Sequence, residues 1–270
     1  MRKRAITGFF FVIVMLGSVL LDHYVFGIFY LLLGSYCLWE FYGLIKKAGI
    51  RPNIESGLIN AVLIYVVFAF MPYQDDYEVH KLLFLLPVSL SAVFIQELFK
   101  KSDAPFTNIA YTYLGLVFTI IPFTFFHALA YMNPKFDFHF PLAFLLMLWA
   151  NDTGAYLVGS RLGRTKLFER HSPKKTWEGL IGGMVITAGA AYLISIYYTE
   201  LGLQEWIWVG VLISCFGTTG DLIESMFKRS IDVKDSGDIL PGHGGLLDRF
   251  DGLLIAAPIV YAYLYFITNA

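Results

Sequence analysis

The sequence predicts an all-α, polytopic integral membrane protein with about nine transmembrane helices and a cytoplasmic N-terminus. Three observations carry this reading. Hydrophobic residues make up 57% of the 270 and charged residues only 15%, well below the roughly 25% of charge usual in a soluble domain. The apolar residues fall in repeated runs, each close to the roughly 20 residues that a helix needs to cross a bilayer core. When those runs are taken as alternating spans, the basic residues collect on one side. Helices rather than strands are expected, because an apolar helix satisfies its own backbone hydrogen bonds inside lipid. The mean hydropathy of +0.62 agrees.

The chain opens with MRKR ahead of AITGFFFVIVMLGSVLL. A basic start before an apolar run has the form of a secretory signal, but no clear small-x-small cleavage site follows. It is therefore read as a retained first helix. Further spans are expected at residues 24–45, 57–73, 82–99, 109–131, 140–158, 180–198, 206–222 and 253–267. With the N-terminus in the cytoplasm, 18 of the 20 Lys and Arg residues fall in cytoplasmic segments, and only Lys81 and Lys135 fall outside them. An odd number of spans leaves the C-terminus outside. Cys37 and Cys215 lie inside apolar runs without metal-ligand spacing and read as small buried hydrophobes.

The chain reads as one membrane domain, 1–270. Residues 1–140 hold apolar helices with short loops. Residues 141–270 hold the chemistry, in helices joined by two long polar cytoplasmic segments at about 159–178 and 228–252. There is no internal repeat, low-complexity tract or soluble domain. The net charge of -1 says little about partners, and no nucleic-acid partner is expected.

Three polar groups stand near the cytoplasmic ends of the late helices. In WANDTGAYLVGSRLGRTK, Asn151 and Asp152 follow an apolar run. A charge inside a bilayer costs at least about 2.5 kcal/mol, so such a residue faces a cavity, a partner or an ion, or else ends its helix. Gly154 and Gly159 allow close helix approach. In RHSPKKTWEG, Pro173 disfavours helix at Ser172. Lys174 and Lys175 with Ser172 and Thr176 are placed to grip phosphates or, more plainly, anionic headgroups.

The third group begins in TTGDLIESMFKRS. Asp221, Glu224, Ser225 and Lys228 share one helical face at i, i+3, i+4 and i+7. Asp248 and Asp251 follow at i, i+3 on the start of the last helix. Carboxylates on neighbouring helices make a hard-oxygen site of the kind Mg²⁺ prefers, with remaining ligands from water and substrate phosphates. Gly242, Gly244 and Gly245 let backbone approach a ligand or turn sharply. His243 between them has the chemistry to bond phosphate or to orient a carboxylate. Acidic residues alone would suit an ion pathway, and basic ones alone headgroup binding. Together they suit phosphoryl or nucleotidyl transfer. No P-loop GxxxxGK[ST] is present.

The run from Ser225 to Asp251, SMFKRSIDVKDSGDILPGHGGLLDRFD, resembles the signature of the phosphatidate cytidylyltransferases (CDP-diacylglycerol synthases). The matching positions are Ser225, Lys228, Arg229, Lys234, Asp235, Gly237, Leu240, Pro241, His243, Gly244, Gly245, Asp248, Arg249 and Asp251. NDTGAY and SPKKTWEG are similar to the family as well. The resemblance covers roughly residues 149–252, while the first five helices match only in being apolar.

The resemblance implies that CTP and phosphatidate give CDP-diacylglycerol and pyrophosphate. The lipid phosphate attacks the α-phosphorus of CTP with Mg²⁺ assisting, and a second cation such as K⁺ is left open. It implies an all-helical homodimer in which Asp221, Asp248 and Asp251 hold metal. Lys228, Arg229, Lys234, Asp235 and His243 then serve catalysis. Asn151, Asp152, Ser172, Lys174, Lys175, Ser225, Gly244, Gly245 and Arg249 line the substrates. A bacterial inner membrane is the expected location, with membrane lipids around the protein and the active site facing the cytoplasm. Two other readings stay on the table at this point: a CTP-dependent kinase of a lipid alcohol, and an ion-coupled transporter using Asp152, Asp221 and Glu224.

Overall fold

A computed structural model describes residues 2–70, 81–133, 135–237, 239 and 244–268. The order of elements is α1 (Arg2–Leu20), α2 (His23–Lys47), α3 (Ile54–Phe70), α4 (Leu85–Phe99, entered through a 3₁₀ turn at Lys81–Phe84), α5 (Pro105–Gly115), a π-helical turn at Leu116–Ile120, α6 (Ile121–Leu129), α7 (His139–Leu162), a hairpin of β1 (Lys166–Phe168) and β2 (Ser172–Thr176), α8 (Trp177–Tyr197), α9 (Leu203–Ser230) and α10 (Leu247–Thr268). Among the described residues, seven helical stretches are long and apolar enough to cross a membrane, and two shorter apolar helices, Thr7–Leu20 and Ile54–Ala69, accompany them. The protein is thus polytopic and almost wholly helical. The expected span at 57–73 runs past the described residues. The hairpin lies in the first of the two long polar segments.

The chain forms two compact units: Met1–Phe136 with Asp235–Arg249, and Asp137–Lys234 with Phe250–Ala270. In the first unit α2 is the axis. Asp22 caps its start by accepting from the Tyr24 N–H. Lys46 and Lys47 in its last turn complement the negative end of the helix. The chain leaves through Gly49, whose φ of 82° is the left-handed conformation that glycine adopts without strain. Phe26, Tyr30, Cys37, Leu38, Phe41 and Tyr42 of α2 are buried. Tyr42 fills the space left by two glycines, since a Cβ on Gly57 or Gly115 would come within 2.6 Å of its ring. Its hydroxyl donates to the Thr112 carbonyl at 2.7 Å. A buried carboxylate, Glu97, ties α3 to α5 by accepting from Asn53 Nδ2 at 2.8 Å and Asn108 Nδ2 at 2.7 Å.

The second unit is held by glycine seams. In lipid no hydrophobic force separates helix faces from solvent, so close backbone packing by small residues carries association. A Cβ on Gly154 of α7 would meet Gly183 Cα of α8 at 3.2 Å, and one on Gly159 would meet Gly179 Cα at 3.3 Å. Gly210 of α9 packs on Thr187 of α8 in the same way. A Cβ on Gly220 of α9 would meet Gly252 Cα of α10 at 3.2 Å and the Asp251 carbonyl carbon at 3.1 Å. These seams set the distances between the polar residues of α7, α9 and α10. Gly220→Ala is therefore expected to destabilise the protein by about 1–3 kcal/mol through overpacking. Thermal unfolding in detergent checks this: a lowered midpoint is expected, and an unchanged one would mean that the two helices do not meet at this glycine.

Candidate active site

The basic side of the site is built by the hairpin. Pro173 favours extended backbone at Ser172, and β2 pairs antiparallel with β1 in the register Lys166↔Thr176 and Phe168↔Ser172, with an irregularity between. Glu178, in the first turn of α8, clamps its base by accepting from the Arg164 N–H at 3.1 Å and the Thr165 N–H at 3.1 Å. Thr176 is both the last residue of β2 and the N-cap of α8, its Oγ1 accepting from the Gly179 N–H at 3.2 Å. With both ends fixed, Lys166, Lys174 and Lys175 all line one cavity of about 560 Å³. That volume lies within the roughly 300–1,000 Å³ of small-molecule sites.

The acidic side comes from α7, α9 and α10. Asn151 and Asp152 of α7 and Asp221 of α9 line the same cavity. Asn151 is buried, its Oδ1 seated against Gly183. Asp152 is exposed. Asp221 is joined to Lys175 by an ion pair of 2.5 Å and accepts a long hydrogen bond, 3.4 Å, from Ser225. Asp251, one turn into α10, accepts from the Gly252 N–H at 2.8 Å. Its backbone packs on Gly220 of α9, the residue before Asp221. The structure thus assembles three carboxylates from three helices beside lysines from the hairpin. Such a mixed lining suits a multiply charged phosphate accompanied by a cation.

Four polar lining residues, Tyr156, Ser160, Lys166 and Thr218, escaped the sequence reading. Helical spacing contained the signal for two of them. Tyr156 and Ser160 follow Asp152 at i+4 and i+8 and share its face. Lys166 was counted only as one of the positive-inside charges. Ser172 sits in β2 opposite Phe168 and does not line the cavity.

The signature segment divides. Lys228 of α9 is ion-paired with Glu224 at 2.5 Å, and Glu224 is buried at 1% exposure. The Lys228 ammonium is thus engaged with a carboxylate that spacing had put on its own face. Arg229 donates to the Val233 carbonyl at 3.3 Å. Lys234, Asp235 and Arg249 are exposed. Asp248 belongs to the first unit, where its Oδ2 accepts from the Ser236 N–H at 2.9 Å and the Gly245 N–H at 2.8 Å. It shapes the segment that leads into α10. Gly244 has a φ of 81°. His243 and Gly242, with Asp238, Leu240 and Pro241, lie outside the described residues.

A separate group, Asp137, His139 and Glu200, has its ligand atoms within 4.8 Å of one another. His139 Nδ1 bonds to Glu200 and lies 3.3 Å from Asp137, with Tyr198 stacked on the ring at 4.0 Å. It stands 13 residues up α7 from Asp152, about 20 Å along the helix, and so is apart from the cavity.

The chain matches the model of the Cytidylyltransferase family over residues 2–267. It is 35% identical over 262 residues to the phosphatidate cytidylyltransferase of Staphylococcus aureus (strain COL), covering 96% of this chain and 97% of that protein. It is 31% identical over 271 residues to the phosphatidate cytidylyltransferase of Bacillus subtilis (strain 168), covering 98% and 97%. It is 32% identical over 263 residues to that of Staphylococcus haemolyticus (strain JCSC1435), covering 96% and 97%.

The buried pair on α9 gives a direct test. Removing one partner of a buried ion pair costs about 3–5 kcal/mol, whereas exchanging both for apolar side chains is close to neutral. Glu224→Ala is expected to lower stability by about that amount, and Glu224→Met with Lys228→Met to recover most of it. Chemical unfolding in detergent reads both. Equal stability of Glu224→Ala and the unmodified protein would show that the pair carries no buried charge.

Proposed function

The chain belongs to the cytidylyltransferase family, and from that premise we propose that it makes CDP-diacylglycerol from CTP and phosphatidate at the cavity of the second unit. The observation that carries the proposal is the lining itself: Asp152 and Asp221 beside Lys166, Lys174 and Lys175, with the backbone of Asp251 packed on Gly220, next to Asp221. A triphosphate needs positive charge along its length. The lysines supply that, and the carboxylates provide hard oxygen donors for a divalent cation. The seven long apolar helices make the protein an integral membrane protein, and its bacterial relatives point to the plasma membrane. The placement of basic residues supports a cytoplasmic N-terminus, with the cavity at the cytoplasmic edge, where CTP arrives from solution and phosphatidate from the leaflet. The family resemblance supports a homodimer.

The donor set fits Mg²⁺. Asp152, Asp221 and Asp251 offer only oxygen, from three different helices, beside a ligand that brings phosphate oxygens of its own. When bound there, the cation neutralises triphosphate charge and polarises phosphoryl oxygens. The residues of the chain do the remaining work. Lys174 and Lys175 hold the triphosphate and oppose the charge that develops on pyrophosphate as it leaves. Lys175 also keeps Asp221 in place through their ion pair. An oxygen of the lipid phosphate forms the new bond to the α-phosphorus, the bond from that phosphorus to the α,β-bridging oxygen breaks, and pyrophosphate carries away the electron pair. No general base is required, because a phosphate monoester with a second pKa of about 6 is already largely ionised at neutral pH.

The purified protein in detergent is expected to consume CTP and phosphatidate only with a divalent cation present. It should release pyrophosphate and no CDP, and Asp251→Asn should abolish turnover while the protein stays folded. CDP as the by-product would instead identify a CTP-dependent lipid kinase. Normal turnover by Asp251→Asn would remove the carboxylate group from the mechanism.

A further inference from the structure

Glu40 lies in the last third of α2, inside a membrane-spanning stretch, and is buried to 5% exposure. A carboxylate in that position is costly unless donors surround it. Its donors come from about 200 residues further along the chain. Glu40 Oε2 accepts from the Leu247 N–H at 2.8 Å and the Ser236 hydroxyl at 3.2 Å, and Oε1 accepts from the Leu246 N–H at 3.2 Å. Leu246 and Leu247 stand at the start of α10, where helix N–H groups lack intrahelical partners. Glu40 therefore caps a helix from a different helix. Asp248 closes the same segment from within, on the Ser236 and Gly245 N–H groups.

The glycines of the segment answer to the same carboxylate. A Cβ on Gly245 would lie 2.6 Å from Glu40 Oε2 and 2.7 Å from Oε1, and a Cβ on Gly237 would lie 2.6 Å from Oε1. These approaches are closer than side-chain carbons make to oxygen. Gly237 and Gly245 thus leave room for Glu40. All of these contacts fall within the first unit.

We infer that Glu40 is a positioning residue for cytidylyl transfer: its carboxylate, bonded to Ser236, Leu246 and Leu247, holds Ser236 and residues 244–247 against α2 and fixes the start of α10. The inference rests on the reading that this segment takes part in the reaction. Asp251 sits four residues beyond Leu247 on the same helix. A glutamine at position 40 has one acceptor oxygen and turns an NH₂ toward N–H donors, so at least one donor loses its acceptor.

The test uses the intact protein in detergent, with Glu40→Gln beside Tyr42→Phe. The second variant removes a buried hydrogen bond two residues along the same helix without touching the segment. In Glu40→Gln the Leu246 and Leu247 amides are expected to exchange hydrogen faster, and kcat to fall about ten- to hundredfold, the fold-change that losing a charge-assisted hydrogen bond gives. Tyr42→Phe is expected to keep its kcat whatever stability it loses. Gly245→Ala, whose Cβ would crowd the Ser236 hydroxyl and the same carboxylate, should lower kcat too, and the double variant should fall by less than the product of the single effects. If Glu40→Gln does not fold, Ser236→Ala removes one donor and is expected to give the same two changes more weakly. Unchanged exchange at Leu246 and Leu247 would overturn the hold of Glu40 on the segment. Faster exchange with unchanged kcat would overturn its role in the reaction. In contrast, an active Asp251→Asn variant would point to failure of the site reading and leave the hold of Glu40 measurable by exchange.

Discussion

The second unit depends on gathering like charges from neighbouring helices. Asp152, Asp221 and Asp251 come from three helices. Two unit charges 4 Å apart repel by about 4 kcal/mol at an effective dielectric constant of 20. Such a group persists only where opposite charge is built in beside it. Lys175 meets part of that need at Asp221, and the other hairpin lysines face the same cavity. A phosphate-bound cation meets the rest in the proposed reaction. The glycine seams follow from this requirement, because carboxylates on separate helices come together only where backbones approach closely. Gly154, Gly159, Gly179 and Gly183 serve α7 and α8, and Gly217, Gly220 and Gly252 serve α9 and α10.

In the first unit the same problem has another solution. Glu40 and Glu97 are buried carboxylates in membrane-spanning helices, each surrounded by hydrogen-bond donors. Glu97 joins helices of the apolar half to one another. Glu40 joins that half to the signature segment. The N-terminal helices therefore do more than fill the bilayer, since one of them holds the start of the helix that carries Asp251.

The helical class, the long spans and the polar faces were legible because they depend on local periodicity. Asp221 and Ser225 do interact across one helical turn, and Glu224 does meet Lys228, as i, i+4 spacing requires. Lys174 and Lys175 do reach a cavity with Asp152 and Asp221. What spacing could not supply was the partner of a residue far along the chain. Nothing near Glu40 announces that its donors lie at residues 236–247. Asp248 and Asp251 share a helical turn, which suggested one task for both, yet Asp248 bonds the backbone of its own segment while the backbone of Asp251 packs on Gly220, next to Asp221. Lys228 matched a phosphate-binding pattern and stands on a buried glutamate. The hairpin at 166–176 was hidden because its strands are short and polar, with Pro173 giving the one extended-chain signal.

The most direct measurement of the carboxylate assembly is cation binding itself. Mn²⁺, a spectroscopic stand-in for Mg²⁺, should bind the purified protein at a site whose affinity falls about tenfold or more in Asp221→Asn or Asp251→Asn, at least the effect that loss of an outer-shell partner of a metal ligand produces. Glu200→Gln, at the separate Asp137–His139–Glu200 group, should leave that site unchanged. Mn²⁺ binding that survives Asp221→Asn with Asp251→Asn and disappears with Glu200→Gln would contradict the account, because the cation would then belong to the other end of α7.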